Sequence, residues 1–453
     1  MQEEESLFHA YDIRGRYPKE LNEERAFAIA RAFVRLLKKL APRKKLSIAV
    51  GRDARSSSAR VAKGFAQGAI AEGCTVADIG LTTAPMLYFA VSHFGYAGGA
   101  MIGASHNPNP WSGMKLVREG AKPVGSDTGL FWMKDFLASH PDLLRGAASM
   151  NIEKEYIASM LQFFRFRKGF AKGLRVALDT GNGTAGPIAM KFLRAAGASV
   201  FSLCVVPDGT FPHHIPNPLL KKNLRDLIAL VQKERPHVGV AFDGDGDRII
   251  FLDEHGLPVG ADCMTALLSE LVLKDYKGRK NPAIIYDMRA SNIVPETIKK
   301  NRGRAIAWKV GHSFIKAKMR KEQALFAGEL SGHYYWGNPL FYEVPFFVLL
   351  KVLSLLQQRN IPFSQLVKPF QKYFHSGEIN FSAKDKTAKM EQLERLYRNG
   401  KVSKLDGIRI DFQDWWFLVR PSNTEPLLRL VVEAKTPELL REKKEELSNI
   451  LRG

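Results

Sequence analysis

Three aspartates at alternate positions, in Phe242-Asp243-Gly244-Asp245-Gly246-Asp247-Arg248, directly follow an apolar segment and form the most specific chemical signal in the chain. The intervening glycines let the backbone curl so that alternate carboxylates converge, and hard oxygen ligands in that arrangement suit Mg²⁺ or Ca²⁺. Without a cation the three would repel one another. Asp243, Asp245, Asp247 and Glu254 also fall at ligand positions of an EF-hand loop, but Arg248 stands where that loop needs glycine. Ile249-Ile250-Phe251-Leu252 then continues as a strand rather than a helix. With only three carboxylates, an octahedral Mg²⁺ keeps positions for water or a phosphoryl oxygen.

A nucleophile is offered by Gly103-Ala104-Ser105-His106-Asn107-Pro108, which follows the apolar run Ala97-Gly98-Gly99-Ala100-Met101-Ile102. That run reads as a buried strand, so the Ser105 hydroxyl emerges at a strand's carboxyl end, where open α/β sheets bind ligands. With His106 beside it and Lys115 nearby, Ser105 is a candidate phosphoryl or acyl carrier, and a phosphate on it would fill an open metal position. Taken alone, the stretch equally fits an ordinary turn.

Two further loops carry recognition chemistry. Gly328-Glu329-Leu330-Ser331-Gly332-His333 places an acceptor, a hydroxyl and an imidazole together, the kind of short polar cluster that reads vicinal sugar hydroxyls; it is also a plausible capped turn. Arg420-Pro421-Ser422-Asn423-Thr424-Glu425-Pro426 follows a strand and joins a guanidinium fork, hydroxyls and an amide, which is chemically a phosphate clamp or else a surface turn. Near the start, Tyr11 and Arg14 are candidates for an anion, and Arg289 in Asp287-Met288-Arg289 and His312 in Trp308-Lys309-Val310-Gly311-His312-Ser313 are weaker cationic candidates at strand ends.

The elements that must position these residues follow a repeated α/β rhythm. The pattern predicts a helix over about Glu23 to Leu40, strand Leu46–Val50, a helix to about Glu72, strand Cys74–Ile79 and a helix over about Pro85 to Phe94 before the strand that delivers Ser105. The rhythm restarts with strand Leu174–Leu178, a helix to Ala196, strand Ser199–Val205, helix Leu224–Lys233 and strand Val238–Phe242. A third round contains strands Ala283–Tyr286, Arg304–Trp308 and Ala324–Ala327, with helices Met264–Tyr276, Asn292–Lys300 and Ser313–Arg320 and a long apolar helix from about Glu343 to Gln357. After a linker near Lys368 to His375 the chain becomes strand-rich (Gly377–Phe381, Gly407–Asp411, Trp415–Val419, Leu427–Glu433), with helices Ala388–Arg398 and Pro437–Leu451.

At 453 residues and 45% hydrophobic, the chain is long enough for several cores and too long for one. The net charge of +21 raises the question of nucleic acid, but the excess is spread over amphipathic helical patterns, and no finger spacing, RNA-binding aromatic signature or basic tail accompanies it. A polyanionic small substrate would also be steered by such a field. No apolar run approaches a membrane span and no leader-like segment opens the sequence, so a soluble, cytoplasmic protein is expected, with no nucleic-acid or membrane partner. Cys74, Cys204 and Cys263 are few, odd in number and without zinc spacing.

A phosphorylatable serine, a metal site, a polyol reader and a phosphate clamp fit one task, moving phosphoryl groups on a sugar. At these residues the chain resembles the α-D-phosphohexomutase superfamily, especially its bacterial and archaeal phosphomannomutase/phosphoglucomutase branch. The likeness runs from Tyr11-Asp12-Ile13-Arg14-Gly15 to the loop at Arg420, with the main motifs in family order, and Asp208 to Pro218 looks like a further family stretch. The resemblance implies an α/β fold of three related mixed-sheet α/β domains plus a C-terminal α+β domain around a central cleft. The expected domains are 1–148 bearing phosphoserine, 149–255 binding metal, 256–367 binding sugar and 368–453 binding phosphate.

It further implies that phosphorylated Ser105 joins Asp243, Asp245 and Asp247 around Mg²⁺, and that a hexose 1,6-bisphosphate is both intermediate and activator. Glu329 and Ser331 would bind sugar hydroxyls, and Arg420, Ser422, Asn423 and Thr424 would hold the non-reacting phosphate with help from Tyr11, Arg14, Arg289 and His312. Lys115, His106 and His333 would serve proton transfer and transition-state charge, with Arg248 beside the metal. Arg289 stands where many relatives have lysine, which keeps the charge and changes the donor geometry. Leu330 is closer to the Met of mannose/glucose enzymes than to the Gln of glucosamine mutases, so a phosphorylated mannose or glucose is the expected partner of a monomer or dimer. A phosphoglucosamine mutase and an inactive relative acting as a basic binding protein are the alternatives.

Overall fold

The computed structural model describes residues 7–42, 46–137, 148–149, 152–278, 280–382, 385–421 and 427–452. These form two compact units, one made of residues 1–259 with 331–366 and the other of 260–330 with 367–453.

The first unit holds two mixed sheets. In the first, strands run in the order Ile13–Arg16, Trp111–Arg118, Gly98–Ile102, Leu46–Arg52, Cys74–Leu81 and Ala148–Ser149. The first three pair antiparallel and the rest parallel. Strand Gly98–Ile102 is buried at every position, as an interior strand covered on both faces requires. Helix Glu23–Leu40 begins where Asn22 accepts from the Arg25 amide at 2.9 Å, with Glu23 and Glu24 in its first turn and Lys38 and Lys39 in its last, complementing the helix dipole at both ends. It buries Phe33 and Leu37 in the core shared with Phe65 and Ile48.

The second sheet runs Pro258–Val259, Ile249–Leu252, Val238–Phe242, Arg175–Asp179, Ser199–Leu203. The last three strands are parallel, and Val238–Phe242 turns back antiparallel into Ile249–Leu252. That reversal makes the aspartate motif a hairpin loop at the end of a buried strand. The same unit includes the antiparallel pair Tyr334–Trp336 and Tyr342–Glu343 and the apolar helix Pro345–Arg359, which starts with proline at its first position, where a missing N–H costs nothing.

In the second unit, parallel strands Arg304–Trp308, Ala283–Asp287 and Phe326–Gly328 are joined by helices Ile293–Lys300 and His312–Glu322. A separate antiparallel sheet is built on Leu427–Ala434, which pairs with Trp415–Pro421 on one side and with Phe374–His375 and Ile379–Ser382 on the other. Helix Pro437–Arg452 closes its core through Leu447 and Leu451.

Two expectations need correction. The stretch from Lys368 to His375 is not a linker: it holds a 3₁₀ turn, Lys368–Phe370, and a strand, Phe374–His375, because Phe370 is buried and the edge of Leu427–Ala434 takes a partner there. Arg420 lies inside strand Trp415–Pro421 rather than after it, because the ladder to Leu427–Ala434 continues to Pro421. Lys115 lies within a strand for which no element was expected, Trp111–Arg118. Among the described residues no helix is long and apolar enough to cross a membrane.

Candidate active site

Ser105 follows strand Gly98–Ile102 by three residues and adopts φ 52°, a left-handed conformation that costs a non-glycine residue. The strain is held by a buried brace. Arg55 donates to the carbonyls of Ser105 at 2.9 Å and Asn107 at 2.6 Å, and its Nε is fixed on Asp53 Oδ2 at 2.9 Å. Asp53 also accepts from Ser58 Oγ at 2.6 Å. With its carbonyl pinned, Ser105 turns its hydroxyl to Asp243, donating to Oδ2 at 2.9 Å, while His106 Nδ1 lies 3.1 Å from Ser105 Oγ.

Asp243, Asp245 and Asp247 are buried, with one carboxylate oxygen of each within 4.8 Å of the others. Two glycines make that packing feasible: a Cβ on Gly244 would lie 2.4 Å from the Ser105 carbonyl, and Gly246 takes φ 66°. Lys115 is set opposite Met101 in the antiparallel ladder, and its Nζ reaches Asp245 Oδ2 at 2.7 Å and Asp247 Oδ2 at 2.5 Å. Arg248 Nε lies 3.6 Å from Asp243 and donates to His333 Nε2 at 3.3 Å; that imidazole is 3.2 Å from Asp247 and, through Nδ1, 2.9 Å from Ser331 Oγ. Arg14 is fixed on Asp12 at 2.7 Å and reaches Asn107 Oδ1, with half-buried Tyr11 close to it.

Burial and mutual repulsion set the charges here. Burial opposes the Lys115 ammonium, yet Asp245 and Asp247 outweigh it and hold its pKa well above the lysine value. Asp243 is raised by burial and by its neighbours Asp247 and Asp245. Asp247 is held low despite burial, by Lys115 and His333. Desolvation together with Arg248, Arg14 and Lys115 keeps His106 well below the usual imidazole value, so the ring is held neutral.

The acidic set fits a hard divalent cation. Its donors are all carboxylate oxygens, Asp245 Oδ1 is buried with no partner among the described residues, and a cationic ammonium already lies against two of the three.

The second unit gathers a different group. Asp287 Oδ1 accepts from the Arg289 amide at 2.7 Å, and Oδ2 accepts from Arg289 Nη2 at 2.7 Å and from the Leu330 amide at 2.8 Å. The remaining arm of Arg289 donates to Glu378 at 2.7 Å, and Arg420 Nη2 reaches the other oxygen of Glu378 at 3.3 Å. Glu329 accepts from the Gly311 amide at 3.0 Å, next to buried His312 at the start of helix His312–Glu322. Ser422, Asn423 and Thr424 lie outside the described residues.

The residues named from sequence thus fall into two groups. Ser105, His106, Lys115, the three aspartates, Arg248, Ser331 and His333 meet in the first unit, with Arg14 at their edge. Arg289 and Arg420 meet in the second, where Glu329 stands beside Gly311. Sequence reasoning missed Asp53, Arg55, Asp287 as a brace, and Glu378. An Asp-x-Arg pair after a parallel strand, at Asp53 to Arg55 and again at Asp287 to Arg289, is the signal that could have found the first three.

Four family models match this chain in order: phosphoglucomutase/phosphomannomutase alpha/beta/alpha domains I (residues 5–130), II (154–256) and III (260–373), and the C-terminal domain (378–450). The chain belongs to the phosphoglucomutase/phosphomannomutase family. It is 36% identical to a phosphomannomutase of Methanocaldococcus jannaschii over 98% of this chain and 97% of that one. It is 34% identical to a phosphomannomutase/phosphoglucomutase of Pseudomonas aeruginosa over 99% and 96%. A phosphoglucomutase/phosphomannomutase family protein of Burkholderia thailandensis superposes with a TM-score of 0.86 at 28% identity, covering 98% of this chain and 97% of that one. As a member of this family the protein is a phosphohexomutase, an isomerase of four-domain α/β architecture.

Proposed function

We propose that this protein interconverts the 1-phosphate and 6-phosphate of mannose, of glucose or of both, in the cytoplasm, through a phosphoserine at Ser105 and a hexose 1,6-bisphosphate that also serves as activator. The observation that carries the reading is the Ser105 hydroxyl 2.9 Å from Asp243 inside a buried, cation-ready carboxylate set. Residues 1–148 carry the serine, 149–255 the aspartates, 256–367 the sugar loop and 368–453 the clamp.

Phosphoryl transfer is catalysed mainly by positioning and by neutralising charge. Asp243, Asp245, Asp247 and an oxygen of phosphorylated Ser105 would hold Mg²⁺, which when bound withdraws charge from the transferring group. Arg55 fixes the backbone of the serine so that its Oγ is aimed before substrate arrives. In the forward step the bond from phosphorus to Ser105 Oγ breaks and Oγ takes up a proton, while a bond to a sugar hydroxyl oxygen forms and that hydroxyl's proton passes to a neighbouring base; in the return step the bond from the sugar's other phosphate to its ring substituent oxygen breaks, that oxygen is protonated, and Oγ gives up its proton as phosphoserine re-forms. Neutral His106, 3.1 Å from Oγ, and His333, linked to Arg248 and Asp247, are the imidazoles for proton handling. Lys115 supplies fixed positive charge beside the aspartates. Glu329 and Ser331 orient sugar hydroxyls, while Arg420 with Ser422, Asn423 and Thr424, assisted by Arg289, His312, Arg14 and Tyr11, holds the phosphate that is not reacting.

The test is conversion of mannose, glucose and glucosamine 1-phosphates with Mg²⁺ and a catalytic amount of glucose 1,6-bisphosphate, with intact mass reporting phosphorylation of Ser105. Turnover of the first two, with phosphoserine formed, is expected. Turnover of glucosamine 1-phosphate alone reassigns the sugar, and silence on all three with Ser105 unmodified refutes the reading.

A further inference from the structure

In the second unit, Glu378 is set among three arginines. Its Oε2 accepts from Arg289 at 2.7 Å, and its Oε1 lies 3.3 Å from Arg420 Nη2 and 3.8 Å from Arg429 Nη1. The cluster is forced by strand register: Arg420 and Arg429 are directly opposite in the antiparallel ladder, an arrangement in which like charges repel. Arg420 is buried, and its Nε and Nη1 have no partner among the described residues. Glu378 itself is 23% exposed, so an anion from solvent can compete for the same guanidinium groups.

We propose that Glu378 is a resident counter-ion of the phosphate clamp. In the substrate-free protein its carboxylate holds Arg289, Arg420 and Arg429 together, and it subtracts one unit of charge from the clamp, so that phosphoryl groups bind there reversibly rather than tightly. This rests on the reading of Arg420 as part of that clamp. The need for weak binding follows from the proposed chemistry, since both phosphates of one bisphosphate must take turns in the clamp within a single cycle. A clamp of uncompensated arginines would hold the first too long. Glu378 is therefore a positioning residue that sets how readily the clamp lets go.

The test is E378Q, whose amide oxygen still accepts from Arg289 while the charge is gone. Binding of inorganic phosphate, followed by calorimetry, is expected to tighten about tenfold, the scale of removing one nearby unit charge at a partly screened site. Under turnover, KM for hexose 1-phosphate and kcat are both expected to fall. The gain in phosphate binding should vanish in E378Q/R420A, which separates the clamp from other anion sites. E378D keeps the charge on a shorter arm and is expected to fall between E378Q and the wild type; if E378Q does not fold, E378A, which also removes the charge, decides. Phosphate binding that is unchanged or weaker in the folded variants overturns the proposal. A wild-type enzyme that turns over hexose phosphates alongside such a result would leave the functional reading standing. An inactive wild type whose E378Q variant binds phosphate more tightly through Arg420 would do the reverse.

Discussion

Removing the Lys115 ammonium gives a sharp test of whether the three aspartates are a cation site. Its Nζ lies 2.7 Å from Asp245 and 2.5 Å from Asp247, with the lysine side chain 9% exposed and the two carboxylates 3% or less. Taking one partner from a buried ion pair leaves uncompensated charge and typically costs about 3–5 kcal/mol. Lys115→Met keeps most of the stem's volume, so the loss reports charge rather than a cavity. At roughly 2–4 °C per kcal/mol for a domain of this size, the melting temperature in EDTA should drop by about 6–20 °C. Mg²⁺ should then restore more than half of the loss, because an ion that binds only the folded state at a hundredfold excess over its Kd contributes about 2.7 kcal/mol. The wild type should gain less, since its own ammonium competes for the same oxygens. Thermal melts of both proteins across a Mg²⁺ titration measure this directly. A variant that melts with the wild type in EDTA, or a loss that Mg²⁺ leaves untouched, would refute the reasoning.

Ser105→Ala and Asp245→Ala should each lower turnover by about a thousandfold or more in the coupled mutase assay, while Arg420→Ala chiefly raises KM. Arg55→Met, which strands Asp53 in the interior, should cost about 3–5 kcal/mol in urea unfolding of the first unit. Glu378 is desolvated, but Arg289, Arg420 and Arg429 override that and hold its pKa at about 2 against an ordinary 4.5. Because the folded value is the lower one, its stabilisation is fully present above pH ~4.5 and is lost as the pH falls toward 2; the difference corresponds to about 3 kcal/mol. Urea midpoints from pH 6 to pH 3 should show a shallower decline for E378Q than for the wild type.

The aspartate loop was legible because its chemistry is local: alternate carboxylates separated by glycines fall within seven residues, and the strands on either side are short but wholly apolar runs. Ser105 was legible for a similar reason, a small-residue loop after a buried strand. What the sequence did not disclose depends on register and on partners far along the chain. Arg55 braces Ser105 from fifty residues away, and nothing near either residue announces the other. Glu378 gains its meaning only once Arg420 and Arg429 are seen to face each other across a ladder. The strand that carries Lys115 was not among the expected elements, since Trp111–Arg118 is broken by Gly113 and lacks clean alternation. The stretch at Lys368 to His375 looked like a linker because short edge strands carry almost no pattern of their own.

The left-handed backbone at Ser105 bears on how such a protein could drift. Glycine adopts φ 52° without penalty, so Ser105→Gly removes the hydroxyl and relieves the main chain in one change. The same change takes the donor away from buried Asp243 and adds freedom to the unfolded chain, so the relief at the main chain is offset by two losses. The strained backbone and the aimed hydroxyl are thus one feature: the twist that costs the main chain is what delivers Oγ to the carboxylate, and neither can be changed without the other.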